Sequence, residues 1–275
     1  MSSYEFQSHE PVDLYVELGK GSLNVTATDT TVTTVEVVGR DAEEVMVRQD
    51  GKQISVVAPK GNRGLFGGDT SYVVTISLPT HSNAVVKTGS ADIGFDGVMG
   101  AGQIRSGSGD CRLDTFDGPL IIETGSGDIV LDRAGAELRV KSGSGDVDVS
   151  QADNALSVST GSGDVEIGAS SGDTVVKTGS GDLRVGQANR GVAMSTGSGD
   201  FVVDQARSGR FVAKGASGDV RIGVPTGVPV WTDISTVSGA IRSSLQGAGE
   251  PGEGQDHVEV RATTVTGDIV LTEVS

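Results

Sequence analysis

Apolar and polar residues alternate over short stretches of this chain, and the alternation recurs with a fixed period. The tetrapeptide GSGD ends at Asp110, Asp128, Asp146, Asp164, Asp182 and Asp200, each 18 residues after the one before. Related tetrapeptides end at Asp92 (GSAD), Asp219 (ASGD), Ala240 (VSGA) and Asp268 (VTGD). Such self-similarity marks a stacked repeat. Counting each Asp as position 1, position 2 reads Ile93, Cys111, Ile129, Val147, Val165, Leu183, Phe201 and Val220. Position 4 reads Phe95, Leu113, Leu131, Val149, Ile167, Val185, Val203 and Ile222. The residue between them is mostly charged or Gly, which predicts a strand with one buried face. Positions 11 and 13 repeat the pattern, with Leu120, Leu138, Leu156 and Val192 in one column and Ile104, Ile122, Val140, Val158, Val176, Met194 and Val212 in the other.

Each repeat therefore reads as strand, turn, strand, turn. Strands this short cannot bury an apolar face alone, but stacking on the same strand of the next repeat does so. The pattern predicts an all-β parallel β-solenoid (β-helix) with 18-residue coils, and the crossover preference predicts a right-handed one. The GSG element is the corner, where glycine permits positive φ. The stretch Leu14 to Val25 aligns without gaps on Leu156 to Ile167, so the register opens near Leu14. Residues 1–85 are expected to form an N-terminal β cap and the first irregular coils, with antiparallel strands covering an exposed edge. Residues 86–275 are expected to form the regular solenoid, interrupted by an insertion loop over 244–257, and its tail is expected to form the last coil. Trp231 is expected to cap the core.

Strands of the form LxVxTGSGDVxV follow EPVDLYVELGKGSLNV and VVTISLP. In these segments the chain resembles the bacterial putative-adhesin β-strand-repeat family, a family of unknown function, from about Pro11 to Val270. The closing GVPVWTDISTVSGAIRSSL and EGQDHVEVRATTVTGDIVL resemble its actinobacterial members. The resemblance implies a β-solenoid fold and supplies no catalytic residues.

Composition narrows the chemistry. One cysteine in 275 residues excludes a disulfide framework, and the three histidines lack metal-ligand spacing. A net charge of −16 disfavours nucleic acid and anionic membranes as partners. No apolar run is long enough for a membrane span, and residues 1–20 lack the pattern of a signal peptide. The expected location is cytoplasmic. The column Asp92, Asp110, Asp128, Asp146, Asp164, Asp182, Asp200 and Asp219 admits two readings. Outward carboxylates could hold a ladder of Ca²⁺ ions, as in a calcium β-roll, although that motif recurs every nine residues rather than 18 and supplies ligands from both turns. The other reading is that each Asp accepts N–H bonds at the adjoining corner. The GSGD serines have no repeated histidine to activate them, and Cys111 sits in an inward column. No catalytic residue and no cofactor is expected. Leu65 and Phe66, in a Gly-rich loop, and Glu250 and Glu253, in the polar insertion, are candidate partner contacts. The expectation is a non-enzymatic scaffold or protein-interaction module with a protein partner; the alternatives are a calcium-binding protein and a self-associating element that polymerises end to end.

Overall fold

The computed structural model describes residues 1–59, 71–246 and 256–275. Every regular element among them is a strand except one helical turn at Ala42–Glu44. The chain divides into two compact units, Met1–Glu137 and Leu138–Ser275.

The first unit holds β1 (Ser2–Gln7), β2 (Asp13–Thr28), β3 (Val32–Gly39), β4 (Met46–Asp50), β5 (Gln53–Val57), β6 (Ser71–Pro79), β7 (Asn83–Met99), β8 (Gly102–Ser106), β9 (Cys111–Phe116), β10 (Leu120–Thr124) and β11 (Ile129–Ala134). Parallel pairing stacks β2 on β7, β7 on β8 and β9, β8 on β10, and β9 on β11. The registers bring like residues together: Leu23 lies opposite Ile93, Ile93 opposite Cys111, and Cys111 opposite Ile129. On its other side β2 pairs in parallel with β5 and β6, so a further coil lies outside the one that opens near Leu14. The reason is in the side chains. Ile54, Val56, Tyr72, Val74, Ile76 and Leu78 are buried at alternate positions, the same inward face that the repeats present. Antiparallel strands close that coil: β4 pairs with β5, β3 with β6, and β1 with β3. Counting seven from Asp92 would place Val98 in the inward column, but a bulge between Phe95 and Val98 puts Met99 there, opposite Phe116. The Phe95 and Phe116 rings meet edge to face at 5.5 Å.

The second unit holds β12 (Leu138–Ser142), β13 (Val147–Ala152), β14 (Leu156–Thr160), β15 (Val165–Ser170), β16 (Thr174–Ser180), β17 (Leu183–Ala188), β18 (Val192–Ser198), β19 (Phe201–Ala206), β20 (Gly209–Lys214), β21 (Val220–Pro225), β22 (Val230–Ser238), β23 (Ile241–Ser243), β24 (Val258–Thr266) and β25 (Ile269–Val274). One face stacks β12, β14, β16, β18 and β20; the other stacks β13, β15, β17, β19 and β21, all in parallel.

The order at the end of this unit differs from the order along the chain. β24 pairs with β20 and β22, and β25 pairs with β21 and β23. The tail is thus slotted inside, and the earlier segment β22–β23 forms the outermost coil. Side-chain chemistry explains the exchange. Val258, Val260, Ala262, Ile269 and Leu271 are buried apolar residues suited to a two-sided stack, whereas β22 offers Thr232, Ile234 and Thr236 at the matching inward sites. Trp231 faces outward opposite Glu259 and is 54 % exposed, so it does not cap the core.

Candidate functional site

The aspartate column is a structural stitch. Asp164 Oδ1 accepts the backbone N–H of Asp182 at 2.8 Å, and Asp146 Oδ1 accepts that of Asp164 at 2.9 Å. Asp182, Asp200 and Asp219 do the same for Asp200, Asp219 and Asp268. In the first unit Asp92 accepts from Asp110, and Asp110 from Asp128. The acceptor role expected for these carboxylates is present, but the donor belongs to the next coil rather than to the residue's own corner. The geometry demands this. At the corner the backbone turns away from the strand ladder, so the Asp N–H needs an acceptor, and the carboxylate of the coil beside it is the group within reach. In each unit the column ends at a residue without a carboxylate. Ser22 lies opposite Asp92, and Ala240 donates its N–H to Asp268 Oδ1 without offering a carboxylate in turn.

The corner is braced from inside. The hydroxyls of Ser106, Thr124, Ser142 and Thr160 accept the N–H of the glycine three residues on, at 3.0 to 3.1 Å. The expected positive φ is present at the corner glycines Gly199, Gly218 and Gly267, and elsewhere glycine serves a second purpose. Gly163 lies outside the left-handed region, and a Cβ there would run into the carbonyl oxygen of Gly145.

Cys111 is fully buried between Ile93 and Ile129. Burial, reinforced by the charges of Asp110 and Asp92, pushes its thiol from an ordinary 9.0 up to about 12. That favours a packed thiol over a nucleophile. Among the described residues no group of three or more His, Cys, Asp or Glu side chains is placed to hold a metal ion. Leu65, Phe66, Glu250 and Glu253 lie outside the described residues.

The outward surface of the second unit carries a groove of about 780 Å³ that the sequence pattern did not single out. Val175, Ala193 and Val212, one from each of β16, β18 and β20, lie along it, and Asp173, Arg190, Arg210, Asp256, His257 and Glu259 bring charges of both signs. These three apolar residues occupy outward positions of successive coils: Val175 lies opposite Ala193, and Ala193 opposite Val212. Arg210 and Arg261 both bind Glu259 at 2.7 Å. Hydrogen bonding from Arg210 first, and from Arg261, holds that carboxyl below its ordinary range. Part of the signal was in the sequence: Val175 and Ala193 fall at position 12, between the inward columns. Val212 instead counts as the inward position 13 from Asp200, and it is turned outward because the extra residue of that coil puts Phe211 opposite Val192 and Ala213 opposite Met194.

No helix among the described residues is long and apolar enough to cross a membrane. Comparison with solved structures finds distant matches that cover nearly the whole of each chain. A "putative adhesin" from Bacteroides fragilis is 11 % identical, with 99 % of this chain and 96 % of that one covered and a TM-score of 0.38. A "putative adhesin" from Parabacteroides merdae is 12 % identical, covering 100 % and 96 %, with a TM-score of 0.35. A "putative lipid binding protein" from Parabacteroides distasonis is 10 % identical, covering 100 % and 96 %, with a TM-score of 0.38. Likeness this distant leaves the assignment to sequence. No curated protein matches the chain. The family model described as Toastrack DUF4097 matches residues 12–272, and the chain belongs to that family.

Proposed function

We propose that the protein is a non-enzymatic scaffold that binds another protein through the outward face of its second unit. In this reading it is built from right-handed coils of 18 residues, with the cap over residues 1–85 and the regular coils from 86 onward. The observation that carries the reading is the groove along β16, β18 and β20. An apolar strip flanked by charges of both signs suits a polypeptide better than a simple anion or cation. The strip also rests on a stacked sheet, which fixes the positions of its side chains before a partner docks and lowers the cost of binding.

The test is capture of partners from native cells by the intact chain and by the double variant Ala193→Glu plus Val212→Glu. A protein retained by the intact chain and lost with the variant, while the variant keeps its melting behaviour, supports the proposal. Equal retention by both forms places binding elsewhere and overturns it.

A further inference from the structure

The second unit ends in a coil that the described residues do not cover. Among them β22 pairs with β24 alone and β23 with β25 alone. The first unit closes its outermost parallel coil differently, with the antiparallel strands β1, β3 and β4. The open coil also presents apolar surface: Trp231 is 54 % exposed, Val237 82 % and Ile241 48 %.

The backbone of β22 is ready for a second neighbour. The Val258 N–H donates to the Pro229 C=O at 2.9 Å. In a parallel ladder alternate residues turn their backbone groups to opposite sides. Val230, Thr232, Ile234 and Thr236 therefore direct N–H and C=O away from β24. A head-to-tail continuation meets an obstacle at the corner. Ala240 stands where the inner coils of this unit carry the carboxylate that accepts the next coil's N–H. In the first unit, among the described residues, the outermost parallel coil is paired with antiparallel strands.

An antiparallel neighbour needs no such carboxylate, and β22 is self-complementary about Ile234. Across a two-fold axis through that residue, Ile234 faces the Ile234 of a second copy, Thr232 faces Thr236, Asp233 faces Ser235 and Trp231 faces Val237. The single charge of the strand thus meets a hydroxyl and not its own copy. The even-numbered pairs fall at the hydrogen-bonded sites, which are the residues with free backbone groups. The pair Trp231–Val237 then falls at the non-hydrogen-bonded sites, where side chains lie closest, and it occurs twice. Both residues face outward and are exposed in one copy. The axis is normal to the sheet, so the inward residues of the two copies remain on one side and Ile234 joins a shared core.

We infer that this open end is a dimer interface, in which two copies pair β22 antiparallel and tail to tail in a closed two-fold assembly. The inference is independent of the groove.

The test uses the full chain. Trp231 is its one tryptophan, so its emission reports on this strand directly. Sedimentation equilibrium is expected to show a mass that rises with concentration to twice that of the chain and no further, with a blue shift of Trp231 emission along the same isotherm. Thr232→Pro removes an open-side N–H and leaves the bonds to β24 in place. Val237→Glu puts a charge against the second copy's Trp231 at a solvent-exposed position. Each variant is expected to weaken the dimer by about tenfold or more while the dilute monomer keeps its melting temperature. A monomer at every concentration, a mass that grows past two chains, or a dimer that both variants leave unchanged overturns the inference.

Discussion

Asp164 shows how one side chain does the work of a ladder bond. Its Oδ1 receives the Asp182 N–H at 2.8 Å at a corner where no strand partner is in line. Asp164→Ala is expected to cost about 0.5–1.5 kcal/mol in urea unfolding, the net worth of one such bond. Asp164→Asn keeps an acceptor oxygen at the same place and is expected to cost less than half as much; equal losses would show that charge, not the acceptor, matters. Among the described residues, three buried hydroxyls, those of Ser170, Thr174 and Thr178, lack a hydrogen-bond partner. Ser170 lies between Ala152 and Ala188, and Thr174 between Leu156 and Val192, so apolar residues already fit both columns. Ser170→Ala and Thr174→Val are each expected to raise stability by about 1 kcal/mol. Cys111 gives a pH signature. Its folded value of about 12 lies above the ordinary 9.0, so the unfolded chain loses that proton first. The contribution is whole below pH 9.0 and declines as pH rises toward 12. Cys111→Val, which matches the column, is expected to lose less stability than the parent chain over that window. The inward columns were legible in the residues themselves because alternation encodes which face is buried. The donors of the Asp column were not, since period alone does not say which backbone group of the neighbouring coil falls within reach of a side chain.

At the scale of the element, burial alternates so strictly that adjacent residues should respond in opposite ways. In β13 and β14, Val149 is fully buried and Ser159 is exposed. Val149→Asp is expected to cost several kcal/mol, because an unpaired carboxylate enters an apolar stack. Ser159→Asp is expected to change stability by less than about 0.5 kcal/mol. Similar melting of the two variants would mean that the assigned faces are wrong. Coil order was less legible than coil content. The segment 230–238 and the tail 258–266 both alternate, and alternation says that a strand has an inner face without naming its neighbours. What separates them is how apolar that inner face is: Val258, Val260 and Ala262 against Thr232, Ile234 and Thr236. The same limit hid the coil of β5 and β6, whose alternation matched the repeats while its spacing did not.

For the whole molecule, 37 acidic against 21 basic residues leave a surface that repels itself. Raising sodium chloride from about 0.01 M to 0.15 M is expected to raise the thermal midpoint, since the screening length falls from roughly 30 Å to 8 Å. A midpoint that falls over this range would show that the ion pairs of Arg184, Arg210 and Arg221 outweigh the net repulsion. The slotted tail also sets a rule for assembly in time. Within one chain, among the described residues, β22 and β23 pair only with β24 and β25, which in turn lie on β20 and β21. Amide protons of 230–243 should therefore gain protection in pulse-labelled refolding only together with, or after, those of 258–274. The segment that comes earlier along the chain waits for the one that comes later, and a chain halted before residue 258 would carry its outermost coil as an unpaired strand open to proteases.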